Sequence, residues 1–253
     1  MLPCWKISPR TGWSTRSKEE KMKLGIIGAM DVEVAQLKEQ MKNKTVAVHA
    51  RSEYCEGTLA CCPAVVVQCG VGKVNAALCA QILISVYGVT HIVNTGIAGS
   101  LSADLDIGDL VVSMDAIHHD FDLRFWDRPI GQVPGMDVTA FPADETLGKL
   151  ALAAAESVNP GHNRMGRVAS GDQFICSKEQ KERIIADTGA ICAEMEGAAI
   201  AHTAYRNGVP FVILWAISDK ADDSAEMDYP TFEAIAARRC AQVTQMLARE
   251  LAK

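Results

Sequence analysis

Asp219 comes directly after seven largely apolar residues, 211–217, and Ser218, so it marks the point where a buried strand emerges. A carboxyl there is partly desolvated, which raises its pKa and lets it carry a proton near neutral pH. The other reading of Ser218 and Asp219 is a helix or turn cap. Glu194-Met195-Glu196 sets two acids two residues apart. On a helix such residues point about 200° away from each other, so the two cannot do one job: if one faces solvent or a neighbouring chain, the other points into a site. An acid opening a helix over 196–207 is also favoured by the helix dipole, and Glu33, just after Gly28-Ala29-Met30, has the same reading at the start of a first helix.

Two further groups mimic known sites without matching them. Gly70-Val71-Gly72-Lys73 resembles a phosphate-cradling loop, in which glycines bring backbone N–H groups to an anion. Val74 stands where that motif needs Ser or Thr, and Gly70-x-Gly72-x-x-Asn75 lacks a third glycine, so a tight strand-to-helix turn is the simpler account. His118-His119-Asp120 with Asp122 has no distant His partner and no ligand spacing, which favours a polar loop over a metal site. The nine cysteines form no C-x-x-C pair; free, mostly buried thiols and a reducing cytoplasm are expected. No metal and no cofactor is implied.

Short apolar runs alternate with segments of helical period, the pattern of a sheet covered by helices on both faces. Strands are expected over 23–28, 64–69, 91–95, 109–114, 167–170 and 211–217. Helices are expected over 32–41, 74–87, 144–157, 178–187, 196–207 and 230–252. Residues 118–143, with three prolines and two glycines, read as one long functional loop. Several strands end in small or acidic residues, and in a largely parallel sheet such ends share the ligand-binding edge. At 253 residues a single domain over 22–253 is expected, with 1–21 a poorly ordered or non-native extension. The net charge of −6 gives no reason to bind nucleic acid, and no run approaches the roughly 18 apolar residues of a membrane span.

Read together, six words in order resemble the 5′-methylthioadenosine/S-adenosylhomocysteine nucleosidases. They are Gly25-Ile26-Ile27-Gly28-Ala29-Met30 with Glu33, Gly70-Val71-Gly72-Lys73-Val74, Asn94-Thr95-Gly96-Ile97-Ala98-Gly99, Ser170-Gly171-Asp172-Gln173-Phe174-Ile175, Ala193-Glu194-Met195-Glu196-Gly197 and Ala216-Ile217-Ser218-Asp219. The resemblance implies a three-layer α/β/α sandwich with a mixed, largely parallel sheet, like the nucleoside phosphorylases, working as a homodimer. It makes Asp219, assisted by Ser218, the acid that protonates adenine N7, Glu33 the base that activates water, and Glu196 the grip on the ribose hydroxyls. Cleavage through an oxocarbenium-like ribose needs such a division, with Asp219 still protonated while Glu33 and Glu196 are ionised. Phe174 would stack on adenine and Ile175 would help read its edge, while Met30, Ile97, Ala98, Gly99 and Met195 would line the pocket. Trp126 and Pro134 occupy the apolar positions of an inter-subunit substrate wall, and Tyr229 falls near the 5′ substituent.

Two positions depart from the family pattern: Trp215 stands where many relatives have Arg, and Ile97 where many have Ser. Losing a cation near acids raises their pKa values. The implied reaction is hydrolysis of methylthioadenosine and adenosylhomocysteine to adenine and a 5′-thioribose, with 5′-deoxyadenosine and aminodeoxyfutalosine as further substrates. The rival readings are a phosphate-dependent phosphorylase and a catalytically silent nucleoside-binding protein. Against the phosphorylase, Asn94 stands where such enzymes tend to carry Arg, and Glu33 would repel a phosphate dianion.

Overall fold

The computed structural model describes residues 21–222 and 225–253, with side chains from 232 onward in the last helix; the expected extension over residues 1–21 falls almost wholly outside them. Ten strands form one mixed sheet. Its parallel centre is β4 (Cys62–Gln68), β1 (Leu24–Gly28), β5 (His91–Ser100) and β10 (Phe211–Asp219). These are the apolar runs legible in the sequence, and β1, β4 and β10 are buried along most of their length, as strands covered on both faces must be. The α1 (Asp31–Gln40), α3 (Glu145–Val158) and α6 (Ala225–Leu251) helices pack one face through Val34, Leu37, Leu147, Ala151, Ala237 and Leu247. The α2 (Lys73–Ser85) and α5 (Gly197–Asn207) helices pack the other through Ala76, Ala80, Leu83, Ala198 and Ala201. The three-layer α/β/α architecture expected from the sequence is the one observed. Among the described residues no helix is long and apolar enough to cross a membrane.

The differences lie at the sheet's two ends. A hairpin of β2 (Lys42–His49) and β3 (Ser52–Leu59) extends the outer edge beyond β4. It escaped the sequence reading because β2 is exposed on both faces, so no apolar alternation marks it. At the other end β6 (Leu110–His118) runs antiparallel to β10 and parallel to β8 (Asn163–Ser170), and β8 pairs β9 (Cys192–Glu194). The β9 strand returns to β5 through Gly99↔Ala193 and Ser100↔Cys192. Five strands thereby close on one another. The expected loop over 118–143 begins after β6 and holds a single 3₁₀ turn, Arg124–Trp126, and the two-residue strand β7, Phe141–Pro142, paired with β6. The α4 helix (Lys178–Thr188), capped by the Ser177 hydroxyl, seals this end with Ile184.

Candidate functional site

The C-terminal ends of β5, β9 and β10 and the start of α1 surround a cavity of about 430 Å³. It is lined by Met30, Glu33, Ile97, Ala98, Gly99, Phe174, Met195, Glu196, Ser218 and Asp219 among the expected residues, and also by Ala29, Val71, Ala193 and Glu194. Ile175 lines an adjoining recess shared with Phe174 and Asp219. Trp126 and Pro134 are exposed on the 118–143 segment and are not among the residues lining this chain's own cavity. Tyr229 lies in α6, with its side chain outside the described residues.

Glu33 sits in the first turn of α1, yet only 3% of it is exposed. Its carboxylate turns back to accept the N–H groups of Ala29 at 2.6 Å and Met30 at 2.9 Å, and its other oxygen accepts Ile97 N–H at 3.2 Å. This ties α1 to β5. Gly96 must be glycine for the same reason: a Cβ there would stand 2.5 Å from Glu33 Cδ. Burial raises Glu33 to about 7, against the three N–H donors, which favour its charge; Glu194 adds a smaller upward push.

Glu194 and Glu196 correct the helical reading of their spacing. Residue 194 ends β9 and Glu196 caps α5, so the helical angle does not apply, and both acids are buried and line the same cavity. The Glu194 carboxylate accepts the Ser170 hydroxyl and the N–H groups of Glu196 at 2.8 Å and Gly197 at 2.7 Å, closing the helix start. Glu196 Oε1 accepts Gly72 N–H at 2.7 Å. The glycine turn therefore presents its N–H to a carboxylate of its own chain, with Gly70 and Gly72 at positive φ. Burial pushes both acids above the usual carboxylate range, and the charge of Glu194 pushes Glu196 further. Desolvation thus works against ionisation of both Glu33 and Glu196 in the unliganded protein, raising each above the ordinary carboxylate range.

Asp219 is 2% exposed at the end of β10, just past a register shift against β5. Ser218 Oγ donates to its Oδ2 at 2.8 Å, and Ala221 N–H to its Oδ1 at 2.8 Å. A Cβ on Gly99 would come 2.8 Å from that same Oδ1, so glycine at 99 makes room for the acid. The geometry shows the capping reading of Asp219, with each carboxyl oxygen accepting a hydrogen bond, and places the residue on the cavity wall.

Of the bland alternatives, Lys73 is occupied by Asp120 at 2.5 Å, and Asp120 also accepts Asp172 N–H at 3.0 Å. His118 packs edge-on to Phe141 and His202. Among the described residues no three His, Cys, Asp or Glu side chains converge as a metal site requires. Sequence reasoning named Glu194 without giving it a place in the site; the signal that could have done so is the short apolar run Ile191-Cys192-Ala193 before it, which ends in strand β9. The cavity thus combines apolar faces from Met30, Ile97, Phe174 and Met195 with four carboxyls, and among the described residues no Lys, Arg or His lines it. That mixture suits a purine nucleoside: faces to pack and polar edges to read.

The sequence pattern of the phosphorylase superfamily matches residues 23–249. A 5′-methylthioadenosine/S-adenosylhomocysteine nucleosidase from Oceanobacillus iheyensis is 38% identical over 226 residues, 88% of this chain and 96% of that protein. The nucleosidase of that name from Colwellia psychrerythraea, solved in complex with adenine, matches with a TM-score of 0.88 and 35% identity, covering 92% of this chain and 96% of the other. Futalosine hydrolase of Helicobacter pylori matches with a TM-score of 0.86 and 33% identity over 90% of this chain and 98% of that one.

Proposed function

The chain belongs to the phosphorylase superfamily and, within it, to the 5′-methylthioadenosine/S-adenosylhomocysteine nucleosidases, and on that premise we propose that it hydrolyses the adenine–ribose bond of 5′-thio-substituted adenosines with Asp219, Glu33 and Glu196 as its acting carboxyls. Asp219 gives a proton to adenine N7 while Ser218 orients its carboxyl. Glu33, once ionised, takes a proton from the attacking water on the opposite face. Glu196, once ionised, accepts the ribose hydroxyls and places negative charge near the developing oxocarbenium ion. Phe174 and Met195 pack the base and sugar. The likeness to a futalosine hydrolase supports aminodeoxyfutalosine as a further substrate, beside 5′-deoxyadenosine.

One observation carries hydrolysis over phosphorolysis: among the described residues, four carboxyls and no cationic side chain line the cavity. A phosphate dianion there finds no cationic partner and meets repulsion from any carboxyl that ionises, whereas neutral water meets neither obstacle. Adenine release from methylthioadenosine is expected to proceed at the same rate with and without phosphate and to yield free methylthioribose. Phosphate-dependent turnover giving a ribose-1-phosphate would reject the reading, and no adenine at high enzyme concentration would leave a binding protein.

The folded unit acts as one domain over 22–253 and works as a homodimer. Val71, on the cavity's rim, is 49% exposed beside Val74 at 71% and Leu78 at 49%, and Phe125 and Trp126 are exposed at 94% and 60%. Large apolar side chains left this exposed support burial against another copy, whose Trp126 and Pro134 complete the wall around the 5′ substituent. Specific activity should therefore fall on dilution below the dimer's dissociation range; undiminished activity in a sedimentation-verified monomer would remove the shared wall. Unpaired, mostly buried thiols at 55, 62, 69, 79, 192 and 240 support a cytoplasmic setting. Nucleic acid is no partner of so acidic a chain.

A further inference from the structure

Trp215 is 1% exposed in the middle of β10 and stands opposite Gly96 of β5. A Cβ placed on Gly96 would lie 2.6 Å from Trp215 Cζ3 and 2.5 Å from Glu33 Cδ. The aromatic edge and the carboxyl head therefore crowd one point, and only the missing side chain of Gly96 leaves room for both. The indole N–H has no hydrogen-bond partner among the described residues, a cost to folding that an apolar ring of similar size would not carry. Core volume alone gives no reason for an indole here.

We propose that Trp215 is a positioning residue for Glu33: its ring edge, across the bare α-carbon of Gly96, holds the carboxyl in the rotamer that meets the Ala29, Met30 and Ile97 N–H groups and keeps water from its inner side. Its catalytic consequence rests on Glu33 being the base. The ionisable groups acting on Glu33 from surrounding elements are Glu194 at the end of β9, Glu196 at the start of α5, Cys69 after β4 and Cys240 on α6. On its own helix, Asp31 faces solvent. The two acids and two raised thiols around it supply no countercharge, so hydration decides how easily Glu33 ionises. Replacing the ring by a shorter aliphatic side chain opens space for water and lowers the proton affinity of Glu33. A helix-facing core residue with no such role would change stability and leave that affinity alone.

The test is a carbon-13 NMR titration of glutamate-labelled, unliganded protein, with the Glu33 signal assigned by its loss in Glu33→Gln. The pH profile of kcat/KM is measured alongside. In Trp215→Leu the Glu33 midpoint and the acidic limb of kcat/KM are both expected to move down by about one pH unit, and in Trp215→Phe the same way by less. KM above the limb should stay near the wild-type value. A folded Trp215→Leu protein, verified by thermal melting, with both features unmoved would overturn the proposal. Should that variant fail to fold, Trp215→Phe decides alone, and an unshifted midpoint there is equally fatal. A midpoint that moves while the rate limb stays supports the positioning role and instead sinks the assignment of Glu33 as base.

Discussion

Asp219→Asn is expected to lower kcat for methylthioadenosine by about 10²–10⁴-fold, the usual worth of a positioned general acid, while KM and the melting temperature change little. The shape is preserved: the amide oxygen can still accept Ala221 N–H, and the Ser218 hydroxyl can turn to accept the amide N–H while donating to Ala98 O. An amide can also donate a hydrogen bond to N7, so the nucleoside should still bind. What it cannot do is transfer a proton as the bond breaks, and a loss confined to the transition state appears in kcat and not in KM. A riboside whose leaving group departs as a stable anion should lose far less, because it needs no protonation. Wild-type turnover of methylthioadenosine by the folded variant would place the acid elsewhere, and an equal loss on both substrates would point to damaged binding.

Glu33→Gln should cost a comparable factor in kcat/KM, about 10²–10⁴-fold, and should change two pH dependences in known directions. In the wild type the base must be ionised to act, so kcat/KM should rise as pH passes through about 7, the value to which burial lifts Glu33. The variant has no such group and should lose that limb. Stability moves the other way. The folded pKa lies above the ordinary 4.5, so the buried carboxyl's contribution is fully present below that value and is lost as pH rises through about 7. The glutamine, which never ionises, escapes this loss. Its melting temperature relative to wild type should therefore be more favourable above neutrality than in mild acid, whatever constant offset arises from an amide facing the Ile97 N–H. A parallel pair of melting curves across that range would show that Glu33 ionises freely when buried and would remove its tuned role.

The words that identified the cavity were short and local. Gly25–Met30, Asn94–Gly99 and Ala216–Asp219 each lie where an apolar strand gives way to small or acidic residues, and hydrophobic runs with such endings can be read without a fold. It was the resemblance carried by these words together that singled out Glu33, Gly99 and Asp219. Glu194 was given no place in the site, because the three-residue strand β9 is too short to show a period, and a helical angle was applied to residues that belong to a strand end. The hairpin 42–59 was invisible for the opposite reason: its outer strand has no buried face to leave an alternation.

Local periodicity thus gave the layer order and the largely parallel sheet, since these depend on which side of each element is apolar, while the three acids were singled out only by the resemblance of the short words that hold them. The pairing of β9 with both β5 and β8, which closes five strands and carries Glu194 and Glu196 to the same cavity as Asp219, depends on contacts about a hundred residues apart in the chain, Gly99 with Ala193. The proton affinity of those acids was decided there too. Desolvation is a property of whatever surrounds a carboxyl, and for Glu33 those surroundings are the backbone of Ala29, Met30 and Ile97, the bare Gly96 and the ring of Trp215, assembled from three separate stretches of chain.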